Sequence, residues 1–318
     1  MNVIEVLDFG LAVLVLAVAT WTIAAREAFA AVVGFVAYGL LLSLVWVRLF
    51  ALDVALTEAS IGSGVTGVLL ITAAMRLGRT DPAPAAEQPS ALVRVAAAAL
   101  CLVIASALAA VVVTMDDPGA TLAPEAARHL PEIGVGNPIT AVLMAYRAFD
   151  TMLEKVVLIL ALIGVWSLAS DRVWGGVAGP VVSEPQGALA FLAQLLPPIG
   201  IVVGIHVTWV GANEPGGAFQ GGALLAAMAL IVMMARLTEA PAVSRRWLRL
   251  VVLGGPAMFL LIGILGFAVA GDFLAYPVGL AKPLILFIEA FMVPSVAATL
   301  PLLVVGPPTR LPVDRPSP

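Results

Sequence analysis

Charged side chains are rare in this sequence, so each one inside an apolar segment is a candidate for chemistry. Only 11% of the 318 residues are charged and 62% are hydrophobic, whereas about a quarter of the residues in an average soluble domain are charged. An ionisable group costs roughly 2.5–3.5 kcal/mol at the centre of a membrane. Such a group therefore needs either a packing partner or a functional reason to be there.

The first candidate stretch, residues 52–67, combines acids, hydroxyls and small residues. Asp53 and Thr57 are four residues apart, so they share a face of a helix. Glu58 lies about two turns into its segment, deep enough to need a partner or a water-filled cavity. Two roles for Glu58 follow: handling of a proton or cation, and a structural hydrogen bond to a neighbouring helix.

The second stretch, residues 146–155, stacks charges of both signs. The spacing of Arg147, Asp150 and Glu154 by three and four residues predicts that they line one helical face. Such a row can hand a proton along, or it can be a set of structural ion pairs. The apolar run that contains it, Pro138–Ala169, is too long for one perpendicular crossing. We expect its first third to lie along the surface or at a bend.

The third stretch runs from His206 to Gly222. Pro215 and the paired glycines around it predict a tight re-entrant turn. His206 could titrate near neutral pH, but one histidine with no second ligand in range does not predict a metal site. A further acid, Glu289, interrupts the last apolar segment. The local sequence does not indicate whether it faces protein or a cavity.

These stretches belong to apolar segments that are long enough to cross a membrane. We therefore predict an all-α polytopic membrane protein with about nine transmembrane helices. The predicted segments are Val3–Ala24, Phe29–Leu49, Leu52–Met75, Leu92–Thr114, one within Pro138–Ala169, Ala188–Val210, Gly221–Ala235, Leu250–Ala270 and Pro283–Val305.

Two polar interruptions divide the segments into groups of three, two and four helices. The first, residues 76–94, is rich in Pro and Ala and is typical of a linker, and the second, residues 171–187, contains several glycines and two prolines. The predicted domains are residues 1–80, 81–175 and 176–318. No repeat relates these groups, so the sequence does not indicate a transporter built from two matching halves.

The distribution of basic residues predicts the orientation in the membrane. With the N-terminus outside and the C-terminus in the cytoplasm, most of the loop arginines fall inside, and only Arg48, Arg128 and Lys282 fall in outer loops. The first segment carries Glu5 and Asp8 where a signal peptide needs positive charge. We therefore expect that segment to remain in the protein.

Several classes of function lack the residues they need. The single cysteine, Cys101, excludes an internal disulfide and a cysteine-based metal site. No phosphate-binding loop, Cys or His cluster, or Ser-His-Asp set is present in the sequence. The one short basic run, residues 245–249, is better explained as a topology anchor than as a nucleic-acid site. We expect no autonomous enzyme, cofactor or nucleic-acid partner.

Together and in this order, the three stretches resemble the Mrp family of multisubunit Na⁺/H⁺ antiporters and its relatives in membrane-bound hydrogenases and complex I. Residues 52–67 resemble the MbhD-type motif D-V-A-L-T-E-A-x-I-G-x-G, and residues 147–154 resemble the MbhE-type pattern R-x-x-D-T-x-x-E. Residues 206–222 resemble the MrpB signature G-H-N-x-P-G-G-G-F-x-G-G. The matching residues of that signature are Asn213, Pro215, Gly216, Gly217, Phe219, Gly221 and Gly222.

The resemblance implies MbhD-like, MbhE-like and MrpB-like domains in an accessory ion-path and structural subunit of a cation/proton antiporter. Such a complex is driven by the proton motive force in the cell inner membrane. The implied partners are large antiporter-like A and D subunits, small C, E, F and G subunits, Na⁺, H⁺ and membrane lipid. The implied ion-path residues are Glu58, Glu154, Asp150, Arg147, Asp53 and His206.

Three alternatives remain open. The same module could serve a redox-driven complex, such as a membrane-bound hydrogenase or a complex I relative, or an Mrp-like system for inorganic-carbon uptake. It could also be a passive membrane scaffold. The chain departs from the family pattern at Ile288 and Glu289, where an Asp is usual, and at Lys155, where the family more often has an apolar or small residue.

The charge distribution yields a test of orientation. Single cysteines at positions 79 and 246, in a Cys101→Ser background, should be shielded from an impermeant thiol reagent added outside intact cells, whereas a cysteine at position 125 should react. Labelling of position 79 from outside would reverse the proposed topology.

Overall fold

The computed structural model describes residues 2–80, 90–115, 121–180 and 187–311, and gives the backbone alone for residues 76–80. The central part of the predicted linker and parts of the loops after residues 115 and 180 lie outside these residues. The described part is almost entirely helical. Its α-helices are α1 (Val3–Ala24), α2 (Ala28–Arg48), α3 (Leu52–Thr57), α4 (Thr66–Thr80), α5 (Ala91–Thr114), α6 (Ala123–Ile133), α7 (Pro138–Ala141), α8 (Ala148–Ser167), α9 (Gly187–Val210), α10 (Ala218–Met234), α11 (Arg246–Val269) and α12 (Ala281–Val305).

Seven helices of the described part are long and apolar enough to cross a membrane. They confirm a polytopic all-α membrane protein, while the count of nine stays a prediction. The seventh predicted segment falls in α10, a shorter apolar helix of 17 residues. The fifth falls largely in α8, whose first turns carry three charged residues.

The predicted segment Pro138–Ala169 is not one regular helix. It starts with α7, continues as a π-helical stretch over Val142–Tyr146, and is interrupted at Arg147, where φ is −128° and ψ is 35°. Helix α8 begins at the next residue. The expected bend is therefore present, and it lies directly before the charged residues.

A second π-helical stretch, Glu58–Val65, joins α3 to α4 in one continuous span. The Thr66 hydroxyl donates to the carbonyl of Ile61, five residues earlier, at 2.8 Å. The wider turn brings Glu58 and the buried Ser63 against α2, where a Cβ at Gly39 would lie 3.1 Å from Glu58 Oε1. Glycine at position 39 thus makes room for two polar side chains.

The main core lies among α8, α10, α11 and α12. Phe259, Ile285 and Ile288 are fully buried there. Helices α10 and α12 cross closely because Gly222 has no side chain: a Cβ at that position would lie 2.8 Å from Cβ of Val296. By contrast, no residue of α1 or α5 is buried.

One end of this bundle is covered by a small non-helical cap. A two-residue strand, β1 (Val177–Ala178), pairs antiparallel with β2 (Pro308–Arg310). The amide of Val243 donates to the carbonyl of Gly176 at 2.9 Å. The cap ties the segment after α8 to the loop before α11 and to the chain after α12, so three chain segments are fixed at the same end.

The close crossing at Gly222 predicts a steric effect on stability. Gly222→Leu should lower the free energy of unfolding by about 1–3 kcal/mol, because overpacking a helix crossing forces backbone shifts. Thermal unfolding in detergent is the measurement. Gly164→Leu is the matched control, since a Cβ at Gly164 meets nothing within 4 Å. Equal stability of the two variants would contradict the close packing of α10 on α12.

Candidate functional site

A buried carboxylate lies where the first, middle and last parts of the chain meet. Asp53, at the start of α3, is only 7% exposed. Its Oδ1 accepts a hydrogen bond from the backbone amide of Gly216 at 2.8 Å, and its Oδ2 accepts one from Nδ2 of Asn137 at 3.4 Å. A carboxylate bound by such donors is stabilised in its charged form. Asp53 therefore joins three segments that are distant in sequence.

The predicted tight turn between α9 and α10 is confirmed. Gly216 and Gly217 have φ angles of 147° and 134°, a region that favours glycine. A Cβ at Gly211 would lie 2.4 Å from Cα of Gly217. The turn closes with a hydrogen bond from the amide of Gly217 to the carbonyl of Val207 at 3.1 Å. These glycines let the chain reverse within a few residues and present the Gly216 amide to Asp53.

Asn137 is the functional residue that the sequence analysis missed. Its Nδ2 also donates to the carbonyl of Glu214 at 3.0 Å, while its Oδ1 accepts from the amide of Ile139 at 2.9 Å. It thus caps α7 and binds the turn at once. The dipeptide Asn-Pro signalled the cap, but nothing local signalled the contact with the turn.

Next to Asp53 lies a cavity of about 340 Å³ that receives side chains from α3, α8, α10 and α12. It lies at the same end of the bundle as the turn. The polar and charged residues that line it are Asp53, Thr57, Thr140, Thr151, Glu154, Lys155, Gln220 and Glu289. Asp53 and Thr57 both reach it, which confirms that they share a face.

Glu289 faces this cavity and not only protein, which answers the question that the sequence left open. The residue is 4% exposed. Its Oε1 accepts a hydrogen bond from the amide of Ala218 at 3.3 Å, whereas its Oε2 is buried without a hydrogen-bond partner. An unsatisfied buried oxygen costs about 1–3 kcal/mol or more. That oxygen is therefore a strong acceptor for a proton, a water molecule or a cation.

The cavity also contains a buried ammonium group. Lys155 is 3% exposed, and its Nζ lies 3.2 Å from Oε1 of Glu154 and 3.8 Å from the centre of the Phe219 ring. The Glu154 side chain is 53% exposed. Since Glu154 lies partly inside and partly outside, it connects the cavity to the surface of the chain.

Three of the predicted ion-path residues lie elsewhere. Arg147 pairs with Asp150, and both side chains are exposed, whereas Glu154 pairs with Lys155. Glu58 packs against Gly39 and Gly62 and is not among the residues that line the cavity. His206 is exposed on α9. The expectation that Arg147 and Asp150 hold Glu154 thus finds no support in these contacts.

Two groups outside the membrane-spanning helices have shifted pKa values at this end of the bundle. The carboxylates of Glu132 and Glu125 raise the pKa of His129 on α6. The stabilisation from these pairs is present below the unfolded-state pKa and is lost as the pH rises through the folded-state value. Burial raises the pKa of Tyr276, whose hydroxyl donates to the carbonyl of Met144 at 2.8 Å. In the described residues, no group of three or more His, Cys, Asp or Glu side chains could hold a metal ion.

Comparison with known families assigns the two ends of the chain. Residues 13–79 match MbhD, the family of the D-type component of MBH, and residues 188–306 match the domain related to the MnhB subunit of Na⁺/H⁺ antiporter. The chain carries an MbhD domain and a MnhB-related domain. The resemblance of the first and third stretches is thereby confirmed. The MbhE-like assignment of the middle segment and the domain boundaries stay predictions.

Individual relatives agree with this assignment. Over 162 residues the chain is 26% identical to an uncharacterized protein of Methanocaldococcus jannaschii, covering 46% of this chain and 62% of that protein. A chain in the structure of the Mrp complex from Dietzia sp. matches with a TM-score of 0.75 and 23% identity, covering 97% of this chain and 35% of that one. A chain of the membrane-bound sulfane sulfur reductase, an archaeal respiratory membrane complex, matches with a TM-score of 0.55 and 25% identity, covering 67% of this chain and 97% of that one. The chain thus spans under two thirds of the curated relative and about a third of the Mrp chain.

The contacts of Asp53 predict that it is a structural residue. Asp53→Asn should lower the free energy of unfolding by about 1–3 kcal/mol, because the new amide group replaces an acceptor and faces the amide of Asn137. Asp272→Asn, at an exposed loop position, should change it by less than about 0.5 kcal/mol. Thermal unfolding in detergent measures both. If Asp53→Asn were as stable as the parent but blocked ion exchange, an ion-path role would replace the structural one.

Proposed function

We propose that this chain is an accessory ion-path and structural subunit of a multisubunit cation/proton antiporter, in which the cavity beside Asp53 is a proton- or cation-handling chamber. The observation that carries the proposal is the buried, unpartnered Oε2 of Glu289 in a cavity that also holds the Glu154–Lys155 pair. The MnhB-related domain and the fold shared with a chain of the Mrp complex support it.

The charges in the cavity suggest how it works. Asp53 is held by two donors from other segments, and Glu154 is paired with Lys155. Glu289 is left as the carboxyl group whose charge has no ion-pair partner among the described residues. The cavity therefore lacks one positive charge, which a proton on Glu289, a bound Na⁺ ion or a movement of Lys155 can supply.

Lys155 favours the proton. A fixed ammonium group raises the electrostatic cost of a second cation in the same small chamber, whereas protonation of Glu289 removes a charge and adds none. Two carboxyl groups and one ammonium can then exchange a proton through water in the cavity. Glu154, which is half exposed, would pass that proton to a neighbouring subunit.

The other parts of the proposal rest on family likeness. We propose the cell inner membrane, with the N-terminus outside, and partners of the antiporter-like A and D and small C, E, F and G types. Helices α1 and α5 have no buried residues, so they have apolar surface available for lipid or for such subunits. The membrane-spanning charges of the described residues are too sparse for a path through this chain alone.

A second candidate function is supported by the match to the membrane-bound sulfane sulfur reductase, which covers 97% of that chain. In a redox-driven complex the same cavity would pass protons or cations, and electron transfer in neighbouring subunits would drive them. The two candidates differ in the driving reaction and not in the chemistry of the cavity. Exchange that depends on a pH gradient, without an electron donor, would favour the antiporter.

The proposal predicts a specific loss of transport. Glu289→Gln and Glu154→Gln should each abolish Na⁺/H⁺ exchange in inverted vesicles while the subunits still co-purify, because Gln keeps the shape but cannot take up a proton. Glu27→Gln, at an exposed turn between α1 and α2, is the matched control and should exchange normally.

Other outcomes would point elsewhere. Normal exchange by both cavity variants would remove the chamber from the ion path and leave Glu58 as the remaining buried acid of the MbhD domain. Loss of co-purification together with exchange would favour a purely structural role, since breaking a buried ion pair costs roughly 3–5 kcal/mol.

A further inference from the structure

At the end of the bundle opposite the ion cavity lies a small polar cleft. Its volume is about 250 Å³, and Arg236, Thr238, Glu239 and Arg310 line it. Arg310 pairs with Glu239 at 2.7 Å, with both side chains substantially exposed. The cleft has two guanidinium groups and one carboxylate, so its lining carries a net positive charge.

An apolar groove continues from this cleft along the bundle. Its volume is about 480 Å³, and it runs between α9, α10 and α12. Met233, Thr238 and Glu239 line both the cleft and the groove, so the two share a wall. Farther from the cleft the lining is apolar, with Ile201 and Met228 as examples. Together they form an elongated site with a polar, positively charged end.

The surrounding sequence increases the positive charge at that end. The segment from Arg236 to Arg249, which connects α10 to the first turn of α11, contains four arginines and one acid, Glu239. The Nε of Arg249 donates to the carbonyl of Val243 at 2.9 Å, which holds its charge close to the loop. Trp247 lines the groove and is exposed. Trp side chains favour the level of the lipid headgroups.

We propose that cleft and groove form a binding site for one anionic phospholipid, with its phosphate in the cleft at Arg236 and Arg310 and one acyl chain in the groove. Guanidinium groups bind phosphate through two parallel hydrogen bonds, and basic residues next to a membrane-spanning helix attract anionic lipids. The apolar groove begins where the charged cleft ends, as the headgroup and the acyl chain of a lipid do.

A helix of another subunit fits this site less well. An apolar helix would cover the groove but leave the positively charged cleft without a counter-charge, whereas an anionic lipid matches both parts. A free phosphate ion would match the cleft but not the groove. The site is separate from the ion cavity, because none of the residues that line it also lines that cavity.

The test is lipid binding by the full chain in mild detergent after removal of bound lipid. Native mass spectrometry should show one phosphatidylglycerol bound at least about tenfold more tightly than phosphatidylcholine with the same acyl chains. Arg236→Gln and Arg310→Gln should each weaken phosphatidylglycerol about fivefold, since a basic residue near an anionic headgroup contributes about that factor. Ala229→Phe should weaken both lipids by filling the groove, which Ala229 lines.

The controls separate this site from unspecific lipid contact. Arg94→Gln removes an exposed arginine from the start of α5 and should leave binding unchanged. Thermal unfolding without lipid checks that each variant is folded. The proposal fails if Arg94→Gln weakens binding as much as Arg236→Gln, if Ala229→Phe binds normally, or if inorganic phosphate alone displaces the lipid. It also fails if a photo-cross-linker at position 229 in native membranes attaches to another subunit.

Discussion

The hydrogen bond between Asp53 and the amide of Gly216 organises the end of the molecule that contains the ion cavity. A membrane offers no water to a turn of non-helical backbone, so every exposed amide must find a partner in the protein. The turn before α10 has few side chains of its own, and its Gly216 amide reaches the MbhD domain. A carboxylate is the strongest acceptor available for it. The cavity lies directly beside this contact because the same residues define its wall.

Local sequence predicted those features whose cause is local. The turn at Pro215 and Gly216 follows from backbone freedom at glycine and the fixed φ of proline, and the shared face of Asp53 and Thr57 follows from helical spacing. The roles of Asn137 and Glu289 depend on which helices pack together. Periodicity indicates which face of a helix is polar, but it does not indicate the neighbour that the face meets.

The difference between nine predicted crossings and seven clear ones has a physical reason in α8 and α10. Helix α10 has only 17 residues, about 26 Å at 1.5 Å per residue, since the turn that contacts Asp53 takes the place of its first residues. Helix α8 begins after the interruption at Arg147 and carries Asp150, Glu154 and Lys155 in its first turns. Both helices give up apolar length to place polar groups at the cavity, so composition alone ranks them below the other helices.

The packing below the cavity limits where an ion can go. Along α12, Glu289 is followed by Met292, Val296 and Leu300, all buried in apolar clusters. The hydroxyls of Ser295 and Thr299 are buried there too, but each donates to a backbone carbonyl and is thereby satisfied. An ion that enters at Glu289 therefore meets a dry, close-packed core in the direction of the opposite end. The open direction is sideways, past Lys155 to the half-exposed Glu154, so a path through this chamber must continue in whatever subunit covers that face.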